Sequence, residues 1–285
     1  MPDPFHALEE IVTRDVTRAL AEDMGGGDLT AKLVPADRVS QARLMTRQDG
    51  VLCGTEWFNR TFEELDPDIE IFWHHDDGDD IVSGSSLCEM EGNARAMLTA
   101  ERTALNFLGH LSGIATRTRA FVDEAASGGT ARIWDTRKTT PGLRTLEKAA
   151  VRAGGGANHR GNLSDWVLLK DNHIALFGIT DAVARARAMW PARTVHVECD
   201  RLDQVAEALA AGADALLLDN MTLDEVRACV AAAAAAARRP LLEVSGGVTL
   251  ATVASYAGTG VDCISVGGLT NAAPVLDIGL DIEPG

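Results

Sequence analysis

The chain has 285 residues, of which 46% are hydrophobic, and it carries a formal net charge of −16. This length suits one large α/β domain or a barrel with a smaller domain, and the acidic charge argues against non-specific binding of nucleic acid. The longest apolar run, VAAAAAAA at 230–237, is too short to span a bilayer, so no membrane association is expected.

Five dispersed cysteines without a C-x-x-C pair favour a reducing compartment over a disulfide framework or a zinc site. The first residues, MPDPFHALEE, lack the basic and apolar regions of a signal peptide. Together these two features predict a cytoplasmic protein.

The first hundred residues or so mix helices with short strands and show no regular βαβ alternation. Helical patterns occur at 5–22, 56–65 and 93–109, a strand–turn–strand pattern at 43–54, a strand pattern at 69–75 and a turn at 25–30. The stretch HHDDGDD at 74–80 has the composition of a metal cluster, but its place in a turn favours a solvated acidic loop.

From about residue 131 short apolar runs alternate with helical stretches, which predicts repeated βα units and a parallel sheet. Six strands are expected, at 131–135, 165–170, 194–199, 214–219, 241–245 and 263–267. Helices are expected at 178–190, 202–211, 222–237 and 249–257. A doubly wound sheet and a barrel both fit this pattern, and the short stretch ANHR at 157–160 is a candidate for a seventh strand.

The segment 132–170 is basic in an otherwise acidic chain, with eight Lys or Arg residues against three acids. Such a local excess of cations predicts a site for an anion. Polar residues also follow strand after strand, and in a barrel the carboxyl ends of the strands form one rim where active sites collect.

The candidate site residues on this rim fall into three sets. Donors that suit carboxylate or phosphate are Arg137, His159, Arg160 and Lys170. Glu198 and Asp219 are acids at the ends of successive strands, suited to a hard cation or to hydroxyls. The turns Ser245, Gly246, Gly247 and Gly267, Gly268 offer backbone N–H groups to a phosphate. Each residue alone has an ordinary reading as a solvated charge or a turn, so the prediction rests on the joint pattern.

Several long segments resemble the quinolinate phosphoribosyltransferase family, the carboxylating nicotinate-nucleotide pyrophosphorylases. They are the block DTRKTTPGLRTLEKAAVRAGGGANHRGNLSDWVLLKDNHI at 135–174, ERTALNFLGHLSGIAT at 101–116, ALLLDNM at 215–221 and EVSGGV at 243–248. The resemblance implies an α/β fold with two domains. An N-terminal α/β sandwich would span 1–112, with 270–285 returning to it, and an incomplete, seven-stranded α/β barrel would span 113–269.

The resemblance also implies a reaction: quinolinate and 5-phosphoribosyl 1-diphosphate would give nicotinate mononucleotide, carbon dioxide and diphosphate, with Mg²⁺ required. Quinolinate would be bound by Arg102, Arg137, His159, Arg160 and Lys170. The sugar diphosphate would be bound by Lys138, Glu198, Asp219, Ser245, Gly246, Gly247, Gly267 and Gly268. Lys138, Lys170, Glu198 and Asp219 are the expected catalytic residues, and Glu198 and Asp219 the expected metal ligands.

The family resemblance further implies a homodimer, or an assembly of dimers, in which Arg102 reaches the neighbouring subunit's site. Two positions depart from the family pattern. Asn271 and Ala272 stand where His-Ser is common after the last barrel strand, and Ala149 stands where tyrosine is usual. Two rivals remain open: a related phosphoribosyltransferase-like enzyme acting on another carboxylic acid, and a non-catalytic sensor of a phosphorylated ligand.

Overall fold

The computed structural model describes residues 4–283, which form two compact units. The first unit extends to Thr116 and includes the segment from Ala273 onward, and the second comprises Arg117–Ala272. Among residues 4–283 no helix has an apolar stretch of the length that a bilayer crossing requires.

The elements follow in chain order, with one 3₁₀ turn at Ala31–Leu33. They are α1 (Pro4–Met24), β1 (Val39–Thr46), β2 (Gly50–Val51), α2 (Thr55–Glu63), β3 (Glu70–Trp73), β4 (Asp80–Ile81), β5 (Ser86–Asn93), α3 (Ala94–Gly128), β6 (Arg132–Trp134), α4 (Arg144–Ala153), β7 (Val167–Leu169), α5 (Asp171–Phe177), α6 (Ile179–Met189), β8 (Val195–Cys199), α7 (Leu202–Ala210), β9 (Ala215–Asp219), α8 (Leu223–Ala234), β10 (Leu241–Ser245), α9 (Leu250–Ala257), β11 (Cys263–Ser265), α10 (Gly268–Asn271) and β12 (Ile278–Ile282).

The first unit is built on an antiparallel sheet of order β12-β1-β5-β3. β1 alternates exposed and buried residues, so one face of the sheet supplies the core. Leu44 from this face packs with Phe58 and Phe62 of α2 and with Leu108 of α3. The sequence predicts β1, α2 and α3 but not β5.

The second unit contains a parallel sheet of order β7-β8-β9-β10-β11-β6. From β7 to β11, strands that follow one another in the chain are neighbours in the sheet, and the unit's first strand, β6, pairs with its last, β11. A doubly wound sheet would instead reverse its order around a central strand. The order of the strands is therefore that of an α/β barrel.

The seventh strand expected in ANHR is reduced to a single parallel bridge between Ala157 and Trp134. The Asp135 amide donates to the Ala157 carbonyl at 3.1 Å, and the Ala157 amide donates to the Ile133 carbonyl at 2.8 Å. These groups lie on the edge of β6 opposite β11, because the Trp134 carbonyl accepts from Val266 instead. Among the described residues no ladder joins Ala157 to β7, so the barrel is incomplete and the predicted fold class is confirmed.

Candidate active site

A buried ion pair connects the loop after β6 to α4 and to the loop that follows α4. Asp135 is fully buried, and its carboxylate contacts the Lys148 ammonium of α4. Asp135 also accepts from the His159 amide at 2.8 Å and from Asn158 Nδ2 at 2.6 Å, while Lys148 donates to the His159 carbonyl at 2.9 Å. Both backbone polar groups of His159 are thus fixed by one pair of opposite charges.

Burial works against both partners of this pair. It raises the pKa of Asp135 and lowers the pKa of Lys148, while their mutual hydrogen bond and charges act in the opposite direction. Each group is charged at this depth because the other is beside it. Neither charge is left over for a ligand, so the pair positions the segment around His159.

Within residues 4–283, neither Arg137 nor Arg160 has a carboxylate at ion-pair distance. No carboxylate lies within 4.0 Å of either guanidinium in the described part of the chain. Nε of Arg137 is buried and has no hydrogen-bond acceptor, and Arg160 is only 7% exposed. Burial and then the neighbouring charge of Arg137 lower the pKa of Arg160. An anionic ligand would relieve this repulsion and satisfy the unpaired nitrogen.

His159 is held in place by aromatic rings and by a buried carboxylate. The rings of Trp134 and Trp166 stand edge-on to the imidazole, with centroids 5.7 and 4.9 Å away. Its Nε2 lies 3.3 Å from Glu243 Oε2, and Nε2 of His196 lies 3.5 Å from the same oxygen. With Nε2 directed at Glu243, Nδ1 is the nitrogen of His159 that remains for a ligand.

The two imidazoles determine the charge of Glu243. Burial alone would raise the pKa of this carboxyl, but His159 and His196 lower it below its ordinary value. Donor atoms of the three side chains lie within 4.8 Å of one another, and no other such group of three occurs within residues 4–283. By donor type this set could hold a transition metal, and as it stands it is a buried carboxylate flanked by two imidazoles.

The burial of His196 predicts a dependence of stability on pH. Desolvation lowers the pKa of His196 from 6.5 to about 4, although the charge of Glu243 opposes this. Between these values the unfolded chain binds a proton that the folded chain does not, so stability falls as the pH is lowered. The loss should reach roughly 3 kcal/mol near pH 4, and urea unfolding at several pH values measures it. His196→Gln should lack this component, and equal pH slopes for both chains would contradict the prediction.

The acidic side of the site lies on β8 and β9. Lys170 follows β7, and its ammonium contacts Glu198 Oε2 across the β7–β8 pair. Asp219, at the end of β9, accepts from Asn220 Nδ2 at 2.8 Å. His173 has a local role, since its Nδ1 accepts from the Lys170 amide at the start of α5. Glu198 and Asp219 have the chemistry of metal or hydroxyl ligands.

The chemistry of these two acids fits Mg²⁺. Magnesium in phosphate-transfer sites is usually held by one or two carboxylates together with oxygens of the substrate, rather than by a complete cage of protein ligands. Glu198 and Asp219 supply two carboxylates at the ends of paired strands, one of them at present against Lys170. The ion would complete its shell with oxygens from the ligand.

The glycine turns follow β10 and β11. Gly246 has a φ of +90°, and a Cβ there would lie 2.3 Å from Asn220 Oδ1, so only glycine fits. The Asn220 amide donates to the Ser245 carbonyl at 2.9 Å, which packs the turns after β9 and β10 together. At Gly267 a Cβ would lie 3.0 Å from Cδ of Lys138. Lys138, predicted to meet the sugar phosphate, is thus placed against the second glycine turn.

The predicted site residues divide between the two units. Arg102 is an exposed residue of α3 in the first unit. The remaining predicted residues belong to the second unit. His159 and Arg160 follow the single bridge at Ala157. The others lie at or just after the ends of strands of one parallel sheet, namely Arg137, Lys138, Lys170, Glu198, Asp219, Ser245, Gly246, Gly247, Gly267 and Gly268.

The prediction from sequence missed Lys148, His196 and Glu243. The last two could have been found from strand alternation, which places His196 on the face of Glu198 and Glu243 on the face of Ser245. Lys148 gave no such signal, because a lysine in a charged helical segment is ordinarily solvated.

The fold and the charges define the second unit as an α/β barrel whose unpaired arginine nitrogen and glycine turns, near the carboxyl ends of its strands, suit an anionic ligand. Residues 28–112 match the model of the quinolinate phosphoribosyl transferase N-terminal domain, and residues 114–281 match that of the C-terminal domain. The chain therefore belongs to the quinolinate phosphoribosyl transferase family.

Individual relatives agree with this assignment. The chain is 43% identical over 272 residues to the nicotinate-nucleotide pyrophosphorylase [carboxylating] of Mycobacterium leprae, covering 94% of this chain and 95% of that one. It is 38% identical over 266 residues to the human protein of the same name, covering 92% and 89%. The solved structure of the Francisella tularensis nicotinate-nucleotide pyrophosphorylase superposes with a TM-score of 0.91 at 40% identity, covering 96% and 97%.

Proposed function

We propose that this chain is a quinolinate phosphoribosyltransferase (decarboxylating) of de novo NAD biosynthesis. It combines quinolinate with 5-phosphoribosyl 1-diphosphate and forms nicotinate mononucleotide, carbon dioxide and diphosphate. The observation that carries the proposal is the presence of two buried or half-buried arginines, Arg137 and Arg160, that have no acidic partner among the described residues. Such a pair suits a ligand with two carboxylates.

Quinolinate binds through its carboxylates in this proposal. Arg137 and Arg160 each have a planar guanidinium that donates two parallel hydrogen bonds to a carboxylate. His159 adds Nδ1, since its Nε2 faces Glu243. Lys170 adds an ammonium, which would leave Glu198 and contact the carboxylate of the ligand. A second subunit of a homodimer contributes Arg102, which is exposed on α3.

The sugar diphosphate occupies the other side of the rim. Glu198 and Asp219 bind ribose hydroxyls, directly or through Mg²⁺, and Lys138 meets a phosphate. The backbone of Ser245, Gly246, Gly247, Gly267 and Gly268 binds the 5-phosphate. When bound, Mg²⁺ neutralises the negative charge of the diphosphate.

In the proposed reaction the pyridine nitrogen attacks the anomeric carbon as the bond from that carbon to the diphosphate oxygen breaks. Positive charge spreads over the ribose ring, and the carboxylates of Glu198 and Asp219 stabilise it. The bond between ring carbon 2 and its carboxylate then breaks, and its electron pair stays on that carbon, where the adjacent quaternary nitrogen stabilises it. Carbon dioxide leaves, and a proton takes its place on the ring. The cations of the site mainly align the two substrates.

The proposal predicts a substrate preference and a metal requirement. With 5-phosphoribosyl 1-diphosphate and Mg²⁺, quinolinate should give nicotinate mononucleotide, whereas nicotinate should react poorly because one carboxylate leaves part of the cationic cluster unpaired. Excess EDTA should abolish turnover, and added Mg²⁺ should restore it. Chromatographic assay of the nucleotide measures both effects. Faster reaction of nicotinate without carbon dioxide release, or full activity in EDTA, would count against the proposal.

A further inference from the structure

Arg117, a half-buried residue of α3, lies beside the second glycine turn. A Cβ on Gly268 would be 3.5 Å from Nη2 of Arg117. Nε of Arg117 is buried and has no hydrogen-bond acceptor. No carboxylate lies within 4.0 Å of this guanidinium in the described part of the chain. Arg117 is therefore a third arginine with unsatisfied donors, separate in sequence from the basic segment 132–170.

The guanidinium of Arg117 is held in place although it has no acidic partner. Its Cζ lies 5.7 Å from the ring centroid of Phe121, one turn further along α3, at a distance typical of a cation–π contact. Leaving a buried donor of this kind without an acceptor is unfavourable. The arrangement is explained if a ligand supplies the missing acceptor.

Lys138 approaches the same turn at the preceding glycine. Its Cδ would lie 3.0 Å from a Cβ on Gly267, and its carbonyl accepts from Thr270 Oγ1 at 2.8 Å. Lys138 and Arg117 thus lie beside the adjacent glycines Gly267 and Gly268. Because these glycines have no side chains, a ligand can approach their backbone closely. A phosphate at this turn would meet positive charge from both Lys138 and Arg117.

The end of the turn lacks a cation of its own. Asn271, at the end of α10, is exposed and neutral, and it stands where the family pattern has histidine. An arginine can donate to two phosphate oxygens at once, which a histidine cannot. Arg117 can therefore supply the positive charge that Asn271 does not provide.

We infer that Arg117 binds the 5-phosphate of the phosphoribosyl substrate at the Gly267–Gly268 turn, in place of the histidine absent at position 271. This inference rests on the proposed function for the identity of the ligand. It adds a substrate-binding residue that lies outside the motifs by which the family is recognised.

The test uses ribose 5-phosphate as a probe in isothermal titration calorimetry, together with steady-state kinetics. Arg117→Ala should weaken binding of ribose 5-phosphate about 10- to 100-fold, the size of a lost charge-assisted hydrogen bond. KM for 5-phosphoribosyl 1-diphosphate should rise similarly, while KM for quinolinate should stay nearly unchanged. Arg117→Lys, which keeps the charge but not the fork, should show a smaller loss. Arg227→Ala on α8, an exposed arginine that pairs with Asp224, is the control and should match the wild type.

Restoring the histidine gives an independent readout. Asn271→His in the Arg117→Ala background should recover part of the affinity for ribose 5-phosphate. Unchanged affinity in Arg117→Ala, with the fold intact by circular dichroism, would overturn the inference even if quinolinate is turned over. If the wild type binds ribose 5-phosphate but does not convert quinolinate, the proposed function fails, and the variants still decide the role of Arg117.

Discussion

Replacing Arg137 with alanine should raise KM for quinolinate by about 100-fold, which corresponds to about 2.7 kcal/mol. KM for 5-phosphoribosyl 1-diphosphate should change far less. The reason is that Arg137 has a buried Nε without an acceptor and a charge that no acid balances within residues 4–283. The carboxylate of the substrate would supply both the acceptor and the balancing charge. Steady-state kinetics with each substrate varied in turn measures the difference.

The stability of Arg137→Ala and a control variant complete this test. Thermal stability should not fall, because the deletion removes an unpaired charge and leaves no partner behind. Arg132→Ala, at the exposed start of β6 in the same basic segment, is the matched control and should leave both KM values unchanged. An equal loss of affinity for both substrates in Arg137→Ala would refute its assignment to quinolinate.

Replacing Lys148 with methionine should destabilise the fold by about 3–5 kcal/mol, the usual result of leaving one charge of a buried pair alone. Asp135 would then be a fully buried carboxylate without its cation. The variant should also raise KM for quinolinate, because Lys148 fixes the His159 carbonyl and Asp135 fixes the His159 amide. Urea unfolding and steady-state kinetics test the two effects.

The matched control for Lys148 is an exposed ion pair. Arg227 and Asp224 lie 2.7 Å apart with side chains 57% and 93% exposed, and such pairs contribute at most about 1 kcal/mol. Arg227→Met should therefore change stability little. If Lys148→Met proved as stable as Arg227→Met, the pair of Asp135 and Lys148 would not be what holds the segment around His159.

Much of the barrel could be predicted from the sequence, because its strands are short apolar runs that end in polar residues. All six predicted strands of the second unit are present, and so are the four predicted helices between them. Other elements were missed for physical reasons. α4 carries three cations and one acid among its ten residues, so its apolar stripe of Leu146, Ala150 and Val151 was masked by charge. β5 includes Glu89, Glu91 and Gly92, which weaken its strand pattern.

The choice between a doubly wound sheet and a barrel was not decided by periodicity, because both have the same local pattern. It depends on β6 pairing with β11, a contact between residues some 130 positions apart in the chain. The single bridge at Ala157 likewise has no local signature of its own.

The candidate site was also only partly predictable from the sequence. Residues at strand ends were predictable, because a parallel sheet brings those ends together. The groups that hold them were not, because each depends on a partner distant in sequence. Lys148 is explained only by Asp135, and Arg117 only by the turn at Gly268.

The most direct test of the proposed function is a single assay with quinolinate labelled at the 2-carboxylate. The protein is incubated with this compound, 5-phosphoribosyl 1-diphosphate and Mg²⁺, and labelled carbon dioxide and nicotinate mononucleotide are both quantified. We expect one labelled carbon dioxide for each nucleotide formed, and neither product without the sugar diphosphate. Nucleotide that retains the label, or no nucleotide from a folded protein, would contradict the account.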